Sequence, residues 1–598
     1  MNKILILLFC LTIGLNSIAA EFTAELKTEN PSSSIDDGVA YVLTNGGIPP
    51  FSYKWSKSQT PLNSSSCEGL TEGSSFDVIV TDANGDEIKL EGKVDVSSGE
   101  ERINSVFVPI VEIMSDVLFW DPFSYFGMYD PVVYNNGEAV LHPNGTKQEK
   151  GIPFIVVWLV LGAIFFTVKM KFVNLRGFKH ALQLVAGKFS DPNKKEEGEV
   201  SHFQALTTAL SATVGLGNIA GVAIAISVGG PGATFWMIVA GLIGMSSKFV
   251  ECTLGVKYRR VGEVGEISGG PMYYLSEGLK RRNLGRLGKV LAVIFAILCI
   301  GGSFGGGNMF QANQAFVQLS STFPMLEGSG IYFGVILAIL VGVVIIGGIK
   351  SIANVTDKIV PLMAILYVGF SLVIILMNVG NIGTVLGEIY NGAFNAPALK
   401  GGVIGVLILG FRRAAFSNEA GVGSASIAHS ASKTNEPVSE GVVALLEPFV
   451  DTVVVCTMTA LVLVFTGFSE GHTDLDGAEL TSAAFGSVFP WFKFILVIAI
   501  FLFAFSTMIS WSYYGLKAWS YLLGDSKIMG NLYKIIFCAF VVIGSSVGLG
   551  AVLEFSDLMI LGMAFPNIIG LLIMSNEVKE DMISYFDRVK SGAIKKFK

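Results

Sequence analysis

Thr213-Val214-Gly215-Leu216-Gly217-Asn218 and Phe416-Ser417-Asn418-Glu419-Ala420-Gly421-Val422-Gly423 are glycine-rich stretches, each set inside an apolar run long enough to cross a bilayer. A helix in hydrocarbon cannot leave backbone N–H and C=O groups unpaired, so such a break is tolerated only beside a cavity, an ion or a substrate. A lone Gly-x-Gly-Asn is explained as readily by close helix packing. Here two breaks lie five apolar segments apart, where the first helices of two five-helix inverted repeats would fall after one extra helix. At such a break the resumed half-helix points N–H groups and a positive dipole at a carboxylate, while unwound carbonyls face a cation. A zwitterionic amino acid together with Na⁺ fits both ends.

The rest of the chain agrees with a membrane setting. Of its 598 residues, 51% are hydrophobic and 15% charged, and the mean hydropathy of +0.60 excludes a water-soluble globule. Spanning segments are predicted near 153–170, 203–226, 231–256, 288–320, 329–348, 352–378, 401–430, 440–468, 480–520, 532–553 and 555–575, eleven in all. The net charge of −7 is small, and the basic residues sit in short joins, which excludes nucleic acid as a partner.

The start Met1-Asn2-Lys3, the apolar run 4–15 and Ser17-Ile18-Ala19-Ala20 read as a cleaved signal peptide over 1–20. Residues 22–100 alternate apolar and polar positions between turns, as expected of a small exported β-sandwich, and Phe76–Asp86 is the clearest hairpin. A linker with an interfacial helix over about 106–120 follows at 101–152, then a transporter domain at 153–576 and a tail at 577–598. The first and third joins carry the Lys/Arg excess, Lys169 to Lys195 and Lys257 to Lys289. This places them in the cytoplasm and agrees with a periplasmic module, a cytoplasmic C-terminus and a bacterial cytoplasmic (inner) membrane. Cys67 alone falls in the exported segment, so no intrachain disulfide is expected there, and no cysteine has metal-ligand spacing.

Two resemblances sharpen these expectations. Gly46–Ser56 with Val80–Gly85 resembles the immunoglobulin-like adhesin repeats of Bacteroidetes surface proteins, implying a docking or spacing role and a periplasmic protein partner for 22–100. Gly229-Gly230-Pro231-Gly232-Ala233-Thr234-Phe235-Trp236-Met237, Gly215–Gly221, Gly307–Asn313, Phe416–Gly421 and Trp511-Ser512-Tyr513-Tyr514-Gly515 together resemble the alanine/glycine:cation symporter family over about 153–576. The resemblance implies a LeuT-type 5+5 inverted repeat: an all-α polytopic membrane protein with eleven spanning helices, preceded by the β-sandwich. Val214–Asn218 is also similar to the unwound first helix of neurotransmitter:sodium symporters.

By the same likeness Asn218, Gln311, Phe416 and Trp511 contact substrate, with backbone N–H groups near Leu216 and Gly217 on its carboxylate. Amide side chains serve either end of a zwitterion, and Phe416 and Trp511 would close over a small side chain. For sodium the likeness implies carbonyls around Ser211, Val214 and Ala504 with the hydroxyls of Ser506 and Thr507, since Na⁺ is a hard cation that takes oxygen ligands. Serine and threonine also commonly bond their own helix carbonyls. Of the intramembrane charges, Lys248 and Glu251 are spaced to pair, Glu447 and Asp451 share a face and need a partner or a proton, and Glu419 adjoins the second break. Three motif positions depart from the family pattern, Ile238, Ser426 and Leu516, and none is a proposed contact.

The expected activity is sodium-coupled symport of a small neutral amino acid, alanine or glycine, across the bilayer. No cofactor is expected beyond the co-transported sodium ion. No nucleophile–base pair or phosphate loop points to an enzyme. The alternative is a non-transporting amino-acid receptor or a surface-attachment protein using the exported module.

Overall fold

The computed structural model describes residues 22–29, 38–56, 64–70, 75–93, 115, 118–132, 134–135, 138–139, 151–190, 197–262, 265–395, 402–469, 475, 477–546 and 549–597. The expected signal peptide and most of the expected interfacial helix lie outside them. The chain divides into two units, Met1–Ile110 and Val111–Lys598.

In the first unit, strands β1 (Thr23–Glu29), β2 (Gly38–Asn45), β3 (Ser52–Trp55), β4 (Ser66–Leu70), β5 (Ser75–Thr81) and β6 (Glu87–Lys93) form two antiparallel sheets, ordered β1-β2-β4 and β3-β5-β6. Alternation in β5 turns Phe76, Val78 and Val80 inward. They share one core with Trp55 of β3 and with Ala40, Val42, Cys67 and Leu70 of the other sheet, so the unit is a sandwich. The β5–β6 turn is organised by Asp82, whose carboxylate accepts from Ile48 N (3.0 Å), Asn84 N (2.9 Å) and Asp86 N (3.0 Å). Gly85 (φ +88°) supplies the left-handed residue that the turn requires.

The second unit is helical: α1 (Phe154–Lys169), α2 (His202–Thr213), α3 (Ala220–Gly229), α4 (Ala233–Lys257), α5 (Gly285–Phe304), α6 (Phe310–Thr322), α7 (Gly330–Ile345), α8 (Gly348–Met377), α9 (Ile382–Phe394), α10 (Gly402–Asn418), α11 (Ala425–His429), α12 (Pro437–Phe465), α13 (Gly477–Val488), α14 (Phe492–Leu523), α15 (Lys527–Gly544), α16 (Leu549–Gly562) and α17 (Ala564–Lys590). Among the described residues seven helices are long and apolar enough to cross a membrane, or eight when the bent pair around Gly215 is counted as one span. α1 and α7 are shorter apolar helices.

Two elements differ from the sequence reading. The run expected as one segment over 480–520 is two helices, α13 and α14. Phe489-Pro490 separates them, because proline biases the preceding residue away from the helical region. α9 falls between the spans expected at 352–378 and 401–430; it is amphipathic, burying Val385, Ile389 and Ala393 while Ile382, Leu386 and Tyr390 stay exposed.

Candidate functional site

The first break is built from its flanks. Ser201 caps α2 through a full capping box with Gln204, and the helix runs to Thr213, where the chain turns through Val214 and Gly215. The segment Leu216–Gly229 then resumes at 57° to α2. The opened backbone is satisfied by side chains: Gly215 N donates to Asn218 Oδ1 (2.8 Å) and Leu216 N to Gln311 Oε1 (3.1 Å). Gln311 is held in turn by its Nε2 donating to Gly306 O (2.8 Å). Both amides therefore brace the unwound turn, and a carboxylate at the Leu216 N–H would take the place of the Gln311 oxygen.

Asn218 is wholly buried and its Nδ2 donates to Asp451 Oδ1 (2.7 Å), with Cys456 Sγ at 3.3 Å. Ser417, from the second break, donates to the other oxygen of Asp451 (2.9 Å), as does Thr452 (2.7 Å). Thr459 Oγ1 closes the ring by donating to Asn218 O (2.8 Å). Asp451 thus ties both breaks to α12. Sequence reasoning noted that Asp451 needed a partner but did not find that the partner is Asn218.

The second break starts at Asn418, whose Oδ1 accepts from Ala420 N (3.0 Å) while its Nδ2 donates to Thr452 (2.8 Å). Glu419 (φ +54°), Gly421 (φ +93°) and Gly423 (φ +100°) carry the chain through left-handed backbone before α11. The Glu419 carboxylate accepts from the Ser424 hydroxyl. Ser426, a departure from the family pattern, donates to Gly423 O (2.7 Å) and braces the same loop.

Of the proposed aromatic contacts, Phe416 lies beside Gly217 of the first break and Trp511 beside Gly307. Phe416 meets Phe310 edge-on (5.7 Å), and a Cβ on Gly217 would lie 3.5 Å from its ring. Trp511 is 1% exposed and lies so close to Gly307 that a Cβ there would fall 2.3 Å from its Cγ. That approach is made possible by a π-helical turn at Gly305–Met309 between α5 and α6, a third irregularity that sequence reasoning missed. Its signal was Gly305-Gly306-Gly307 in the middle of an apolar run.

The residues proposed for sodium divide into two groups. Ser211, Ser506 and Thr507 come together between α2 and α14: Ser211 Oγ donates to Ser506 O (2.5 Å) and Thr507 Oγ1 to Ser211 O (2.9 Å). Ser510, missed from sequence, joins them at 2.8 Å from Ser211 Oγ. Val214 and Ala504 are buried beside this cluster in sequence, with no side-chain oxygen of their own. Gly215 links the two halves of the site, since a Cβ there would meet Thr507 Oγ1 at 2.5 Å and Gln311 Oε1 at 3.1 Å.

Around this centre the buried charges are paired by tertiary contact. Lys248 bonds Glu447 (2.9 Å), not Glu251 as the three-residue spacing suggested; Glu251 accepts from Asn567 (3.0 Å), which also donates to Gly421 O (2.9 Å). Glu440 is held between His202 and His429, the latter at 2.6 Å, and Asp557 takes Arg412 at 2.7 Å and Arg413 at 3.4 Å.

The profile of the sodium:alanine symporter family matches residues 142–598. The sodium/alanine symporter AgcS of Methanococcus maripaludis is 43% identical over 444 residues, covering 74% of this chain and 96% of that protein. The probable sodium/glutamine symporter GlnT of Bacillus subtilis is 34% identical over 442 residues, 73% of this chain and 89% of its own length. Among solved structures, MhsT in complex with L-phenylalanine aligns with a TM-score of 0.44 at 14% identity, over 65% of this chain and 99% of its own. A broken-helix bundle of apolar spans, a family profile across the whole helical unit and full-length relatives at this identity give one conclusion: the chain belongs to the sodium:alanine symporter family and is an integral membrane transporter, not an enzyme.

Proposed function

We propose that the chain imports alanine or glycine together with Na⁺, at a site formed where the two helix breaks meet. The observation that carries this reading is the arrangement around Gly215, where Gln311 and Asn218 hold the unwound turn on one side and the Thr507 hydroxyl, bonded to Ser211 O, lies on the other. The substrate carboxylate takes the backbone N–H groups near Leu216 and Gly217, with Asn218 and Gln311 beside it. Phe416 and Trp511 close over a side chain no larger than methyl. Sodium takes oxygens of Ser211, Val214, Ala504, Ser506 and Thr507. Eleven spans in a 5+5 repeat rock between outward and inward exposure of this site, with the β-sandwich outside the cytoplasmic membrane and the C-terminus inside.

The test is uptake of labelled alanine and glycine into proteoliposomes under an inward Na⁺ gradient. Wild type accumulates substrate uphill; Asn218→Ala and Gln311→Ala lose at least about tenfold, since each removes a brace on the opened backbone at a buried site. Absence of uptake by folded protein, with Na⁺, Li⁺ or H⁺ gradients and several small amino acids, would leave the receptor reading in its place.

A further inference from the structure

Away from the helix breaks, a cavity of about 370 Å³ lies between the end of α1 and the last turns of α17. Its exposed rim carries Lys171, Arg176 and Lys590 against one carboxylate, Asp587, and its floor is apolar, with Met170, Val173 and Met582 buried and Phe586 half-buried. The rim is placed by a sharp turn: Lys171 (φ +52°) and Phe172 (φ +56°) are both left-handed, Phe172 N returns to Thr167 O (2.8 Å), and Arg176 Nη1 donates to Lys171 O (3.3 Å). α1 thus stops at the end of its apolar run and sets two cations at the mouth of the cavity.

Two further observations point to what it holds. Three cations at α17 have acidic partners: Lys257 with Glu577 (2.6 Å), Arg282 with Glu577, and Arg588 with Glu436 (2.6 Å). Among the described residues none of Lys171, Arg176 and Lys590 makes an ion pair. The surface leading to the cavity is apolar and outward-facing, with Leu161, Phe165 and Val168 on α1 and Phe172 and Leu175 beyond the turn all exposed, so acyl chains cover it in a bilayer.

We propose that this cavity binds an anionic phospholipid, whose phosphate lies among Lys171, Arg176 and Lys590 and whose first acyl methylenes rest on Phe586 and Met582. A soluble anion would use the cations but leave the apolar floor wet, whereas a lipid satisfies both at the depth where α1 ends.

Native mass spectrometry of the full-length protein in detergent, offered phosphatidylglycerol and phosphatidylcholine, tests this. Wild type retains phosphatidylglycerol in preference. Lys171→Gln/Arg176→Gln/Lys590→Gln loses that retention by about tenfold or more, given the attraction of each cation for an anionic headgroup. Arg286→Gln/Lys289→Gln/Lys527→Gln, the same charge change at exposed positions elsewhere, keeps it. If the triple variant does not fold, Lys590→Gln alone, at the exposed end of α17, shows a several-fold loss. Equal retention of the two lipids by wild type, or undiminished phosphatidylglycerol retention in the folded variant, overturns the proposal. So does displacement of phosphatidylglycerol by excess inorganic phosphate with the same dependence on the three cations, which would make this a site for free anions.

Discussion

Gly215 and Gly217 are both in the motif, but the structure asks different things of them. Gly215 has φ −130°, open to any residue, so space and not backbone freedom requires glycine there. A methyl would sit 2.5 Å from Thr507 Oγ1, and that hydroxyl cannot turn away without giving up its bond to Ser211 O (2.9 Å). Gly217 has room, its added Cβ falling in ordinary contact with Phe416 at 3.5 Å. Gly215→Ala is therefore expected to cut sodium-dependent uptake by about a hundredfold, the scale of an ångström-level misplacement in a preorganised site, while Gly217→Ala keeps most of it. Initial rates in proteoliposomes, on variants matched for monodispersity, check the pair. Equal losses in the two would mean that the motif is read by its backbone and not by the packing of α14.

Among the elements, those with a local signature were legible and those made by distant contact were not. The two helix breaks and the β5–β6 hairpin each rest on residues within a few positions of one another. The partner of Lys248 lies 199 residues away, and the partner of Asp451 is Asn218, 233 residues away; no periodicity encodes either. The split between α13 and α14 was hidden because both are apolar, and only Pro490 marked it. The β5–β6 turn makes a prediction of its own. Burial of Asp82 opposes its ionisation, but the N–H groups of Ile48, Asp86, Asn84 and Gly85 outweigh it and hold the carboxyl below its ordinary value. A folded value lowered in this way contributes stability that is complete above the unfolded value and is lost as pH falls through the folded one. Amide exchange at Asn84 and Asp86, corrected for intrinsic rates, should lose protection on acidification in wild type. In Asp82→Asn that protection should be weaker at neutral pH and flat with acid.

On the scale of the whole molecule, the sandwich has a core of its own, and the family profile begins only at residue 142. Removal of residues 22–100, with residues 1–21 kept, should leave sodium-dependent uptake within about twofold, because independent units couple weakly; abolished uptake by folded, correctly inserted protein would make the module part of the transport cycle. In the helical unit, Cys456 lies 3.3 Å from Asn218 Nδ2 and 3.4 Å from Ser417 Oγ, at the junction of both helix breaks and fully enclosed. The protein therefore carries a native chemical reporter at its centre. With Cys10, Cys67, Cys252, Cys299 and Cys538 replaced by alanine or serine, a small thiol-directed reagent should modify Cys456 only when the bundle opens. Supplied from one face of the vesicle and then the other, with sodium and substrate varied, it would time each gate by the rate at which a single sulfur disappears.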